Sequence, residues 1–356
     1  MNLYPASAWC NRMLPLLIAA CGGVHAADPP ATGYAYVPNI DAGSISMFQM
    51  DGRGSLTLLD TFKTGSAPRA VAATRDVLYA VDIWANTLTV FAVEADGTLR
   101  RRGPPLPTGL SPEAVALDPL GRFVFVANGD SDDIQVYRID QDKDTLHAVG
   151  RYASGDYPTD MAVDPCGRWL YVTNYAAHSV SSYAIDPQRG ALTPVDTVAA
   201  GNSPGAAVVA PSSEYLYVAD GLGSTLSIYH IDQARGAPRF KTRIAAPEYP
   251  YALAMDRDGR YLYSANYGSN DVTTFAIDSD GIPVKIDRVA AGIGPFSITL
   301  APGGNHAYVA NVRSDSIDVY TVDLQRGTLT PLKSVPGPRG PAMLALSTAT
   351  PHQCTQ

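Results

Sequence analysis

Three shortages narrow the reading of this chain before any motif is considered. Cysteine is scarce: of four, Cys10 and Cys21 fall near the N-terminus and only Cys166 and Cys354 lie well beyond it. No CxxC pair offers metal or redox spacing and no CxxCH run offers haem attachment, so a haem or quinone role is a distant third and no cofactor is expected. Basic residues are outnumbered, 26 Lys and Arg against 34 Asp and Glu. They are also scattered singly, apart from "RRR" at 100–102, so the chain has no basic face for nucleic acid. Beyond the N-terminal region no apolar run is long enough to span a bilayer, and no useful helical periodicity appears.

The N-terminal region does carry a short apolar run. "MLPLLIAAC" at 13–21 follows Arg12 and leads into "GGVHAADPP". Residues 1–27 are therefore expected to be an export signal. Two readings of its processing stay open. "VHA" before Ala27 suits ordinary cleavage, whereas "IAAC" resembles a lipoprotein box in which Cys21 is lipidated. The expected location is the periplasm or the outside of the cell, with a lipid anchor if Cys21 is modified.

What the rest of the chain holds is repetition. The stretches "GYAYVPN", "DVLYAVD", "RFVFVAN", "RWLYVTN", "EYLYVAD", "RYLYSAN" and "NHAYVAN" end in Asn39, Asp82, Asn128, Asn174, Asp220, Asn266 and Asn311, at intervals of 43, 46, 46, 46, 46 and 45 residues. A second run follows each, carrying an aromatic at Phe48, Phe91, Tyr137, Tyr183, Tyr229, Phe275 and Tyr320. A period of this length means a repeat architecture.

Each unit reads as four strands. An inner strand such as "TDMAVD" turns through "DPCGR", whose Asp, Pro and Gly suit a tight type I turn. The "LYVTN" strand follows, apolar enough to be buried on both faces. An alternating strand, a glycine loop and an outer strand such as "LTPVDTV" complete the unit. A linker then leads on, with a proline at its fourth position in every copy. Four antiparallel strands repeated seven times predict an all-β, seven-bladed β-propeller over residues 33–348, with a tail at 349–356. The chain opens on a second strand and ends on a lone first strand, "PAMLALS" at 341–347, so one blade is expected to combine both termini and close the ring.

"YVTN" at 171–174, the "DPxGR" turns at 118–122 and 164–168 and the "GxLT"-type loops at 190–193 and 327–330 resemble the lactonase-type propeller family. That family includes 6-phosphogluconolactonases and carboxymuconate lactonising enzymes beside non-enzymatic surface proteins. The resemblance covers nearly the whole chain after the signal region and concerns the frame. It implies histidines at the starts of inner strands, with an arginine and a glutamate nearby.

Antiparallel order puts the residues just after the linker prolines around one mouth of the central channel: Arg69, Glu113, Thr159, Gly205, Tyr251, Phe296 and Ala342. None is histidine. Arg69 and Glu113, on adjacent blades, are the charged pair of the ring. They read either as an electrophile and a water-activating base or as a rim salt bridge worth under about 1 kcal/mol. Asp160 adds polarity. Tyr157, Tyr175, Tyr249, Tyr251, Tyr267 and Phe296 offer stacking faces for a sugar, an aromatic or a peptide. His178 is the histidine expected on this face, in a loop column otherwise typical of exposed turns. No histidine has a neighbour at metal-ligand spacing. The Asn/Asp column is expected to bond the backbone of the loop each member begins. Cys166 and Cys354 are both expected at the opposite mouth, where a bridge would strap the tail across it.

Two functions follow. The first is a binding scaffold whose funnel holds a small polar or sugar-like molecule or a protein segment. The second is a hydrolase opening a lactone or related ester, with Arg69 polarising the carbonyl and Glu113 activating water. The missing histidines favour the scaffold, and export argues against a phosphorylated sugar lactone.

Overall fold

The computed structural model describes residues 31–140 and 145–347, and every regular element in them is a β-strand. The expected export signal with Cys21, and the tail with Cys354, lie outside the described residues. The strands form seven antiparallel sheets in ring order, six of them built from strands adjacent in sequence. The fourth blade is representative, with strands at Pro158–Val163, Trp169–Asn174, Ser179–Ile185 and Leu192–Ala199. Its second strand, WLYVTN, is buried at five of six positions, while its outer strand is largely exposed. The unbroken apolar run of "LYVTN" is thus the part of each blade enclosed on both faces.

The first blade combines both ends of the chain. Ala31–Asn39, Ser44–Asp51 and Leu56–Lys63 supply three strands, and Ala345–Ser347 pairs antiparallel with the first of them through Tyr34, Ala35 and Tyr36. The closing strand is shorter than the stretch expected from the sequence. Its start is held only by a bridge from Pro341 to Asn39, and the ladder resumes at Ala345. The second blade also departs from the pattern. Its outer strand is split into Leu99–Arg101 and Leu106–Pro107, because Pro104 and Pro105 between them have no N–H for the ladder.

Blades are joined by packing and by a repeated hydroxyl tie. Seven core clusters each draw on two neighbouring blades, such as Phe123 and Phe125 with Leu170 and Tyr183. Second-strand tyrosines of several blades reach the next blade. Tyr171 donates to Gly236 O at 3.1 Å, Tyr217 to Gly281 O at 3.0 Å and Tyr36 to Gly97 O at 3.0 Å. The third-strand tyrosines reach back: Tyr183 donates to Ala153 O at 2.7 Å and Tyr229 to Ala199 O at 2.8 Å. Each tie satisfies a polar tip in an apolar interface.

The glycine under such a tie is not replaceable. Gly236 has φ +71°, and a Cβ there would lie 2.2 Å from Cδ2 of Trp169. Gly236→Ala should therefore destabilise the fold by roughly 2–5 kcal/mol, from left-handed backbone strain together with overpacking. Equilibrium unfolding in denaturant measures this, and a loss below about 0.5 kcal/mol, the scale of ordinary surface changes, would contradict the packing described.

The Asn/Asp column differs from expectation. Asn174 Nδ2 donates to Ser179 Oγ at 3.1 Å and Ser181 Oγ at 2.9 Å, and its Oδ1 accepts Gly155 N–H at 3.1 Å. Asp220 likewise takes Thr225 and Ser227 hydroxyls and Gly201 N–H. Asp82 is the member that caps its own loop, through Ala85 N–H. Most of these side chains turn inward across the strand pair, because residues five apart are register partners there (Asn174 with Ser179). They fasten the strand pair and, at Asn174 and Asp220, the linker as well. Among the described residues no group of three or more His, Cys, Asp or Glu could hold a metal ion, and no helix is long and apolar enough to cross a membrane.

Candidate functional site

The linker prolines make the site by breaking register. In the fourth blade Pro158 pairs with Asn174 and Asp160 with Thr173, so Thr159 faces no partner. The same skip occurs after Pro68, Pro112, Pro204, Pro250 and Pro295. Such a bulge re-aims its extra side chain. Arg69, Glu113, Thr159, Gly205, Tyr251 and Phe296 thereby all line the channel. The seventh, Ala342, is fully buried, and Met343 and Leu344 form the wall in its place.

Two connected spaces result. An outer chamber of about 450 Å³ is walled by Tyr157, Tyr175, Tyr249 and Tyr251, with Ala176 at its edge. A deeper chamber of about 120 Å³ is lined by Asp160, Phe296, Ser297, Met343 and their neighbours. Arg69, Glu113, Thr159, Gly205 and Tyr251 border both.

Arg69 is held from three sides at that border. Its Nε donates to Glu113 Oε2 at 2.8 Å, its Nη2 donates to Tyr251 OH at 2.8 Å, and its guanidinium carbon lies 4.6 Å from the centre of the Phe296 ring. Burial works against the Arg69 charge, but Tyr251 and Glu113 outweigh it and keep the guanidinium above its ordinary range. Glu113 Oε1 also accepts Tyr157 OH at 2.9 Å and Ser111 Oγ at 3.5 Å. The side chains of Arg69 and Glu113 are 16% and 3% exposed. The pair is therefore a desolvated one, not the solvent-screened rim bridge that the sequence allowed.

The aromatic wall is continuous. Tyr249 and Tyr251 stack at 6.1 Å and 13°, Tyr251 and Phe296 at 4.2 Å and 30°, and the Tyr175 and Tyr249 hydroxyls lie 3.1 Å apart. Tyr267 packs behind, against Tyr249 and Tyr251, and borders neither chamber. Burial, then the Glu113 carboxylate, pushes the Tyr157 hydroxyl up to about 12, so it donates at neutral pH. Tyr157 and Tyr249 also hold φ of +55° and +52°, where the equivalent linker residues with positive φ are Ser111, Ser203, Gly294 and Gly340. A bulky residue there costs on the order of 1–3 kcal/mol, and such strain gathers at functional positions. The identity of these two tyrosines before their prolines was the sequence signal for it.

Residues 22–209, 196–281 and 244–344 match the family model for the lactonase, a seven-bladed β-propeller. The chain belongs to the lactonase family. A 6-phosphogluconolactonase of Pectobacterium carotovorum is 30% identical over 148 residues, 39% of this chain and 45% of that protein, so the chain aligns with less than half of that relative's length. The periplasmic gluconolactonase of Pseudomonas aeruginosa superposes with a TM-score of 0.77 at 22% identity, covering 88% of this chain and 99% of that one. A protein from Lactobacillus plantarum gives 0.79 at 21%, over 88% and 99%. At those identities the two superpositions establish a shared fold.

Not every residue singled out in the sequence joins the site of this lactonase-family propeller. His178 does not. It is exposed, with φ +50°, and its Nδ1 accepts Ser203 N–H at 2.9 Å. Asn86, Asp132, Asn270 and Asp315 accept the equivalent linker N–H groups. The histidine is one more acceptor in a column that needs only an acceptor. Thr159 does join, its hydroxyl donating to Pro204 O at 3.2 Å. Ser111, beneath Glu113, went unnoticed in the sequence because its role appears only once Glu113 is folded over it. Cys166 is half of a disulfide whose other cysteine lies outside the described residues.

Proposed function

We propose that this lactonase-family propeller is a hydrolase that opens an uncharged, sugar-like lactone or related ester. One observation carries the reading: a desolvated, fixed arginine at the floor of an aromatic-walled chamber of about 450 Å³. Lactone opening places negative charge on the carbonyl oxygen, and a preorganised cation in a dry site stabilises that charge without reorganising. The tyrosine faces suit the C–H face of a sugar ring, and their hydroxyls suit its oxygens. The matched relatives named as lactonases support the enzyme over the pure scaffold, which had been the first expectation.

The charge inventory supports an unphosphorylated substrate. Among the described residues Arg69 is the sole Lys, Arg or His bordering either chamber, and Glu113 already neutralises it. A phosphate dianion would find no second cation. The apolar N-terminal segment, and the location in the name of the Pseudomonas relative, support work in the periplasm or outside the cell.

The absence of histidine from the seven ring positions is the observation that favours the scaffold. The test is hydrolysis of D-glucono-δ-lactone and its 6-phosphate by the purified protein, corrected for spontaneous opening. Saturable turnover is expected for the first and at least a tenfold lower kcat/KM for the second, about 1.4 kcal/mol in the transition state. No turnover of any lactone by folded protein would return the funnel to the scaffold reading.

A further inference from the structure

Asp160 is out of keeping with its position. The residue two places after the linker proline is Ala70, Ala114, Ala206, Ala252, Ser297 or Met343 in the other blades. The position is confined: Ala70, Ala114, Ala206 and Ser297 are buried, and Ala252, Met343 and Asp160 itself are half-buried. A carboxyl group there is desolvated, which disfavours its charge. Its carboxyl accepts the Ala207 N–H of the next blade, at 3.0 Å to Oδ2, and the N–H of its own neighbour Met161. The ring does not depend on that tie, since alanine stands at this position in four other blades and Ser297 makes a different contact there, donating to Ala342 O at 2.9 Å. Fold alone gives no reason for a carboxylate.

The deeper chamber does. Asp160 lines it together with Arg69, Glu113 and Tyr251, and about 120 Å³ has room for a few waters. Glu113 is poorly placed to act as a base, because Arg69 Nε, Tyr157 OH and Ser111 Oγ all donate to it.

We propose that Asp160 is the general base of the lactone opening, acting on a water held in the deeper chamber. This rests on the hydrolase reading above. The water oxygen bonds to the acyl carbon as the Asp160 carboxylate takes its proton, and the carbonyl electron pair moves onto the oxygen facing Arg69. Collapse of that intermediate breaks the bond between the acyl carbon and the ring oxygen. The proton passes from Asp160 to the departing alkoxide, leaving a hydroxy acid that ionises in solution. No oxidant, reductant or further reactant is consumed.

The protonation state suits the task. Burial pushes the Asp160 carboxyl up to about 6, against the opposing N–H groups of Ala207 and Met161. The charged or titratable groups lining the same chamber are Arg69 from the second blade, Glu113 from the third and Tyr251 from the sixth. The fifth blade presents the Ala207 amide. A base works as the carboxylate, so kcat should rise as pH passes up through about 6 and fall away below it.

The test uses Asp160→Asn, which keeps an acceptor for Ala207 N–H but cannot take the proton. Asp160→Ala, the residue of four other blades, is the second variant. Both are expected to unfold at the wild-type denaturant midpoint and to lose about 10²–10⁴-fold in kcat, with the limb near pH 6 gone. Turnover within threefold of wild type, or persistence of that limb in either variant, overturns the assignment and leaves the hydrolase reading intact. Loss of folding in both variants also overturns it, since the carboxyl would then be structural. A wild-type protein that opens no lactone removes both readings together.

Discussion

Arg69→Met is expected to lower kcat/KM for lactone opening by about 10²–10³-fold, the range seen when one donor to a developing oxyanion is removed. Methionine fills most of the arginine's volume, so the stacked Tyr251 and Phe296 keep a neighbour. What goes is a positive charge fixed by hydrogen bonds at 2.8 Å to two different blades. The charge that it meets on the substrate exists in full only in the transition state, so the loss should fall on kcat more than on KM. Steady-state kinetics decides between this and a binding role. A loss confined to KM, or smaller than tenfold, would mean that Arg69 merely holds the ligand.

Glu113→Leu is expected to cost about 3–5 kcal/mol of stability, the usual penalty for removing one member of a buried ion pair. The glutamate is 3% exposed and its arginine 16%, so little water is available to take over the orphaned guanidinium. Tyr157 loses the acceptor for its hydroxyl in the same step. The double variant Arg69→Met, Glu113→Leu removes both charges and should recover most of the loss, because a well-packed apolar pair is often as stable as the ionic one. Denaturant unfolding of the three proteins measures the difference. Equal destabilisation in the single and the double variant would mean that lost packing, and not the unpaired charge, is responsible. The double variant serves the first prediction as well: a protein that is folded and yet inactive separates chemistry from collapse.

The frame was legible in the sequence because its determinants are local and repeated. Proline at the fourth linker position, the turn residues of "DPxGR" and the apolar "LYVTN" run each act within a few residues of where they stand. The channel mouth could be read from the same prolines, which put Arg69, Glu113, Thr159, Tyr251 and Phe296 in one ring. What escaped depends on contacts between blades. The tyrosine ties join residues 61 and 65 positions apart in Tyr36 to Gly97 and Tyr171 to Gly236, and 30 apart in Tyr183 to Ala153. His178 stood in a column typical of exposed turns, but the Ser203 N–H that it accepts is 25 residues away and showed only in the fold. The burial of the Arg69–Glu113 pair depends on Tyr157 and Tyr251, from the fourth and sixth blades, folding over it. Asp160 was visible as a polar residue, but that it stands where other blades place alanine matters only once the confined position is known.

The unpaired residue after each linker proline has a wider consequence. A side chain in a regular ladder answers to its cross-strand partner, so changing it disturbs two strands. A side chain on a bulge has no such partner. Arginine, glutamate, threonine, glycine, tyrosine and phenylalanine already occupy six of these positions on one unchanged scaffold. Chemistry at the mouth is in this sense detached from architecture: one blade can exchange its contribution while the hydroxyl ties and inter-blade cores hold the ring. Substrate preference can then shift by single replacements, with no intermediate that must first lose its fold. The exceptions are the second, third and sixth blades, where Arg69 is bound to both Glu113 and Tyr251 and a change in one is felt by the others.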